Sequence, residues 1–186
     1  MADRHDIHVP ERVGDPREVD YSQSSPADFG ALARDRIPIR AIRESDLRTV
    51  TAIDRESTGR DRTQYFEAKF AEALHESDVR VSLVAEIDGR TVGFIMARVD
   101  LGDFGRTEPT AELDTIGVVP DYRIHGVGRA LLSQLMANLA SLRVERILTE
   151  VDWANPDLLA FLARCGFQPS SCLAFDRTIS RAVAGT

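Results

Sequence analysis

Residues 111–152 read as strand, helix, strand, and no other feature of the chain restricts its fold as much. The run 111–119 is closed by Pro120, a helix follows over about 128–142, and 146–152 returns as a second strand. Leu131, Leu135, Leu139 and Leu142 form one stripe of that helix, widened by Leu132 and Met136, so it packs against a sheet. Two strands joined through such a helix lie parallel, with a right-handed crossover. The pair Asp88-Gly89 imposes the opposite relation upstream. It separates the runs 79–87 and 90–99, the strongest short signal for a hairpin, and makes those strands antiparallel. A single sheet that holds both relations is mixed.

The remaining segments add helices. Ile37, Ile39 and Ala41 alternate as a short first strand; Ser45 is placed to cap a helix reaching about residue 57. Thr63 is placed to cap a second, with Phe66, Phe70, Ala73 and Leu74 on one face. Residues 100–110 form a loop with two glycines, a proline and Phe104. Asn155-Pro156 opens a short helix through Arg164, Gly166 suits the turn that ends it, and 173–179 reads as a last strand. The expected class is α/β (α+β), a mixed central sheet with helices on both faces.

Residues 1–36 stand apart, with charges of both signs, three prolines and a serine cluster but no sustained period. They read as a flexible N-terminal leader, or as an arm that docks on a second copy in a homodimer through apolar residues such as Val9, Tyr21 and Phe29. The catalytic-sized domain is 37–186, with no room for a second. The net charge is −7, and Lys69 is the only lysine. An acidic chain without a basic cluster is not built to bind nucleic acid. It has no apolar stretch approaching the ~18 residues of a membrane span, and its N-terminal residues are charged where a signal peptide is apolar, so no membrane partner and a cytoplasmic location are expected. Cys165 and Cys172 lack the partners of a zinc site and read as reduced, packed thiols; no metal is expected.

The chemistry concentrates in 114–132, DTIGVVPDYRIHGVGRALL, where a strand ends, a polar turn follows and a helix starts. Arg123, Gly126 and Gly128 spell R-x-x-G-x-G across the turn. Glycines let successive N–H groups face one anion, and the helix N-terminus adds its positive dipole end, which suits a diphosphate. The G-x-x-x-x-G-K-[ST] loop of nucleotide triphosphatases is excluded because the turn has no lysine, and a dinucleotide turn would need glycine at Leu131. A purely structural role for the glycines, making a compact turn, stands beside the anion-binding one.

R-x-x-G-x-G between a strand and an amphipathic helix, followed by a strand and the segment 155–167 (NPDLLAFLARCGF), resembles the GNAT superfamily of N-acetyltransferases over 37–179. The resemblance implies a splayed sheet that holds acetyl-CoA between its fourth and fifth strands. Arg123, Ile124, His125, Gly126, Val127, Gly128, Arg129 and Ala130 would then cradle the CoA diphosphate, and Ile116, Gly117 and Val118 would pair with the pantetheine arm as with an added strand. A glycine inside a strand also fits close approach by another backbone. Asn155 would contact the pantetheine, the sulfur end or, in the plain reading, cap its own helix.

Acetyl transfer to an amine needs a base, an oxyanion partner and a departing thiolate. Glu112 and Glu150 occupy strand positions where members of the resembled family place a catalytic glutamate, with Asp114 and Asp152 as alternates and a backbone N–H near Val118 for the oxyanion. Strand glutamates facing solvent are the ordinary alternative. The family's general-acid tyrosine is replaced by Leu162, with Tyr122 a remote substitute; a CoA thiol, with pKa near 8.5, can leave without an acid. His125 reads as a solvated loop residue and Trp153 as a pocket wall. The expected acceptor is a small-molecule amine, or a protein N-terminus or lysine. A non-catalytic acyl-CoA-binding regulatory module, or a structural oligomer with a vacant cleft, are the other classes.

Overall fold

The computed structural model describes residues 37–76, 79–100 and 109–171. The leader, most of the 100–110 loop, Cys172 and the expected strand at 173–179 lie outside the described residues. Five strands, β1 (Ile39–Ala41), β2 (Leu83–Ile87), β3 (Arg90–Asp100), β4 (Thr110–Val118) and β5 (Arg146–Leu148), form one sheet in sequence order. The first four are antiparallel neighbours, whereas β5 runs parallel to β4. The mixed sheet is thus present, with α1 (Leu47–Thr58) and α2 (Thr63–Ala71) before its first hairpin and α3 (Val127–Ser141) and α4 (Pro156–Arg164) around β5.

Alternation along the strands divides the core into two layers. Val84, Phe94 and Met96 join Val50, Ile53, Phe66 and Phe70 of α1 and α2 in one cluster. Leu83, Ala85, Ile95, Ala97 and Leu113 face the other way, onto Leu131, Leu132, Leu135 and Leu139 of α3 and Leu162 of α4. Asp88 and Gly89 both take positive φ, 52° and 72°, which matches their turn to the twist of the hairpin. The helix starts differ from the sequence reading. Asp46, not Ser45, is the residue from which α1 starts, and its carboxylate binds backwards and not into the helix: it accepts from Arg43 N at 2.8 Å across the preceding 3-10 turn and from the Arg40 guanidinium at 2.7 and 2.8 Å. At α2 the acceptor is Asp61, which takes Thr63 N at 3.0 Å and Thr63 Oγ1 at 2.6 Å, so Thr63 is the capped residue and not the cap. A carboxylate offers about four lone-pair sites over two oxygens, where a hydroxyl offers two on one.

Two strands are shorter than the sequence reading. β2 starts at Leu83, not at 79; Ser82 O accepts from Ile42 N at 3.0 Å before the ladder begins, and the buried Ser82 hydroxyl bonds Ala97 N and O, each at 3.2 Å. β5 ends at Leu148 because its neighbour leaves it: β4 pairs with β5 only at Thr110, Ala111 and Glu112 and then continues to Val118 paired with β3 alone. Beyond that point the tie between them is Thr149 Oγ1, which donates to Leu113 O at 2.9 Å.

Candidate functional site

The departure of β4 from β5 creates a wedge-shaped gap. Val119 N donates to Val92 O at 2.9 Å toward β3, so the two-residue alternation turns the N–H and C=O of Val118 and Ile116 toward the gap, where no strand of the described residues pairs with them. Gly117, between them, is accounted for differently from the sequence reading. A Cβ there would sit 2.8 Å from Phe94 Cζ and closer still to its Cε1, so an aromatic ring on the sheet face is by itself enough to require glycine.

Beyond β4 the chain makes a 3-10 turn, Pro120–His125, and enters α3 through Gly126 at φ 80°. Gly126 has open space around it, so its left-handed backbone is what the turn requires. The first i to i−4 bond is Ala130 N to Gly126 O at 2.9 Å, which leaves the N–H groups of Val127, Gly128 and Arg129 ahead of it, and no side chain caps this helix. Gly128 allows contact on its other side: a Cβ would lie 3.4 Å from the Phe161 ring of α4. These N–H groups and the positive end of the helix form a cradle for an anion. Arg123 does not point into free solution: its Nε donates to Val118 O at 3.3 Å and its Nη2 to Ser57 Oγ at 3.0 Å, tying the turn to α1. Ile124 and His125 are exposed on the same turn.

The acidic candidates separate. Glu112, on the α2 face of β4, is paired with the Arg98 guanidinium. Its alternate Asp114 is ion-paired with Arg98 Nη1 at 2.8 Å and Lys69 Nζ at 3.1 Å, and Lys69 also holds Glu72 at 2.9 Å. Burial opposes the charge on Lys69, but Glu72 and Asp114 outweigh it and raise its pKa; burial likewise opposes Arg98, and Asp114 and Glu112 raise it. Glu150 lies past the end of β5, exposed, with no ion partner among the described residues. Asp152 is taken up by the following turn, its Oδ1 accepting from Ala154 N at 2.9 Å. Neither Arg98 nor Lys69 was read from sequence as part of a site; for Arg98 the only signal was a charge on an otherwise apolar strand, and for Lys69 its being the only lysine, and neither names a partner.

The family model described as Acetyltransferase (GNAT) family matches residues 46–167. The chain belongs to the GNAT family. It is an acyltransferase. An N-alpha-acetyltransferase of Sulfurisphaera tokodaii is 30% identical over 136 residues, which cover 70% of this chain and 79% of that protein. A mycothiol acetyltransferase of Thermobispora bispora is 33% identical over 84 residues, 45% of this chain and 28% of that protein, so that match spans less than a third of the relative. In fold, this GNAT domain resembles an aminoglycoside N-acetyltransferase solved in complex with CoA, with TM-score 0.65 at 19% identity, covering 76% of this chain and 94% of the other.

Within this GNAT chain the region of α4 departs from the sequence expectation in two places. Leu162 is buried in the α3 layer, so packing owns the position where the resembled pattern has tyrosine. Trp153, expected as a wall, is 87% exposed. Asn155 caps α4, its Oδ1 accepting from Leu158 N at 3.2 Å. Tyr122 packs half-buried against the α3 layer, and burial pushes the Cys165 thiol up in pKa against the opposing pull of Arg129. Among the described residues no helix is long and apolar enough to cross a membrane, and no group of three His, Cys, Asp or Glu could hold a metal ion.

Proposed function

We propose that this protein transfers an acetyl group from acetyl-CoA to a primary amine, by direct transfer with both substrates bound. The observation that carries the proposal is the edge of β4 that no described strand covers, where the N–H groups of Ile116 and Val118 and the C=O of Ile116 face the gap while Arg123 holds the C=O of Val118; it leads within one turn to the uncapped N-terminus of α3. The donor set fits acetyl-CoA: N–H and C=O groups in line for an amide-bearing arm, then a cluster of N–H groups for a diphosphate. Val127, Gly128 and Arg129 would hold the diphosphate through their backbone, with Arg123 to Ala130 forming the cradle and Asn155 on the opposite lip. Acetyl-CoA supplies an activated thioester.

The chain's own part is to deprotonate the amine and hold the oxyanion. An alkyl ammonium has a pKa near 10 and must lose its proton before it attacks. Glu150 is the better base, because Glu112 is already committed to Arg98. Val118 N–H, facing the gap, would meet the oxygen that gains charge as the amine adds to the acyl carbon. When the C–S bond breaks, the thiolate departs without an acid from α4, since Leu162 carries no proton to give. The match to an N-alpha-acetyltransferase supports a peptide N-terminus as acceptor, and the net charge of −7 favours cationic amines.

The test is a thiol-release assay with acetyl-CoA against a panel of small amines and peptides. Turnover with one or more acceptors is expected. Glu150→Gln lowers kcat by about 100-fold and leaves CoA affinity, read by calorimetry, unchanged; full turnover in that variant refutes Glu150 as the base. Leu162 favours one other reading, a non-catalytic acyl-CoA-binding module, and CoA binding without turnover on any acceptor would establish it.

A further inference from the structure

β4 carries one residue more than its neighbour: Met96 opposes Thr115 and Ala97 opposes Leu113, which leaves Asp114 unmatched. A bulge of this kind bends its strand and strengthens the local twist. It falls two residues after Glu112, the last residue of β4 paired with β5, so the extra residue sits where the two strands part. Both flanks of the irregularity are braced. On one, the buried Ser82 hydroxyl satisfies Ala97 N and O at 3.2 Å each. On the other, the Asp114 side chain, 10% exposed, lies between Lys69 Nζ at 3.1 Å and Arg98 Nη1 at 2.8 Å.

We infer that Asp114, clamped by the only lysine of the chain and by Arg98, is a positioning residue: it fixes the bulge and so sets the angle at which the Ile116–Val118 edge borders the gap. An apolar side chain would fill this place without the desolvation that enclosing the Asp114 carboxylate demands. What an apolar residue lacks is direction. Lys69 comes from α2 and Arg98 from β3, so the carboxylate is held from two elements at once and the bulge cannot slide along the strand.

The consequence for ligand binding rests on the reading of the gap as the acyl-CoA site, so the test has two arms. Hydrogen exchange of 113–118 in the free protein reports the edge itself, and calorimetry with CoA reports its use. Asp114→Asn and Lys69→Met are expected to speed exchange in 113–118 selectively over the β2–β3 hairpin and to weaken CoA by about tenfold or more. Lys69→Arg, which keeps the charge, is expected to stay near wild type in both arms. Wild-type CoA affinity in both disrupting variants, or faster exchange spread evenly over the sheet, overturns the inference and leaves the cluster with stability alone. If wild-type protein fails to bind CoA, the site reading falls, while selective exchange in 113–118 still supports the clamp and unchanged exchange still overturns it.

Discussion

Gly117 shows how a single missing side chain can be owed to the core and not to a ligand. The Phe94 ring lies across it, fully buried, and meets Phe66 edge to face with ring centroids 5.7 Å apart. Gly117→Ala therefore forces that ring to move, and overpacking of this kind costs about 1–3 kcal/mol. Urea unfolding should show the loss, and most of it should vanish when Phe94→Leu is added, because the pair shares one space. Independent, additive losses would show that Phe94 is not the obstacle. From the sequence, Gly117 could be recognised as a strand glycine, but whether its neighbour was a ring or a cofactor depended on register, which places Phe94 directly opposite. The two candidate glutamates, Glu112 and Glu150, were legible in the same partial way. Their positions could be read; that one is held by Arg98 required a partner fourteen residues away on another strand.

At the scale of the element, the start of α1 is the most heavily bonded helix end. Asp46, buried, accepts from Arg40 twice and from Arg43 N, and Arg40 also reaches Glu86 of β2 at 2.7 Å. Burial alone would raise the Asp46 pKa, but the Arg40 and Arg43 bonds win and hold it below the usual carboxylate value. A folded-state pKa below the unfolded one contributes stability above the unfolded value and loses it as pH falls through the folded value. The loss thus begins near pH 4 and deepens with further acid. Asp46→Asn should cost about 2 kcal/mol at pH 7 and flatten the acid limb of stability below pH 4. Equal acid slopes for variant and wild type in urea titrations would contradict this. Elements with strong local signals, the Asp88-Gly89 hairpin and the leucine stripe of α3, were readable from sequence. Their ends were not: Ser45 and Thr63 look like caps, but Asp61 takes the first N–H of α2 and Asp46 turns back to Arg40 and Arg43, choices that depend on where Arg40 and the backbone of the preceding turn come to lie.

For the whole molecule, the order of elements gave a mixed sheet, while its opening between β4 and β5 was implied by the family resemblance and not by any single segment. The run 146–152 has the composition of a full strand, and only Arg146–Leu148 is one, because strand length is decided by the partner and not by the run itself. A sheet left open along one edge has hydrogen-bonding groups that a ligand can complete. CoA at a hundredfold excess over its Kd should therefore raise the unfolding midpoint by roughly 5 to 10 °C, read by calorimetric or fluorescence melting. A midpoint that does not move would remove the gap from consideration as its site.

The burial of Lys69 in two ion pairs has a last consequence, one of chemical self-compatibility. Reactive thioesters acylate exposed neutral amines without help, and a protein that binds them places its own lysines at risk. Here the one ε-amine in the chain is kept protonated between Glu72 and Asp114, while every other side-chain cation is an arginine or histidine, which form no stable amide with an acyl donor. The chain therefore presents no free ε-amine to an acyl donor.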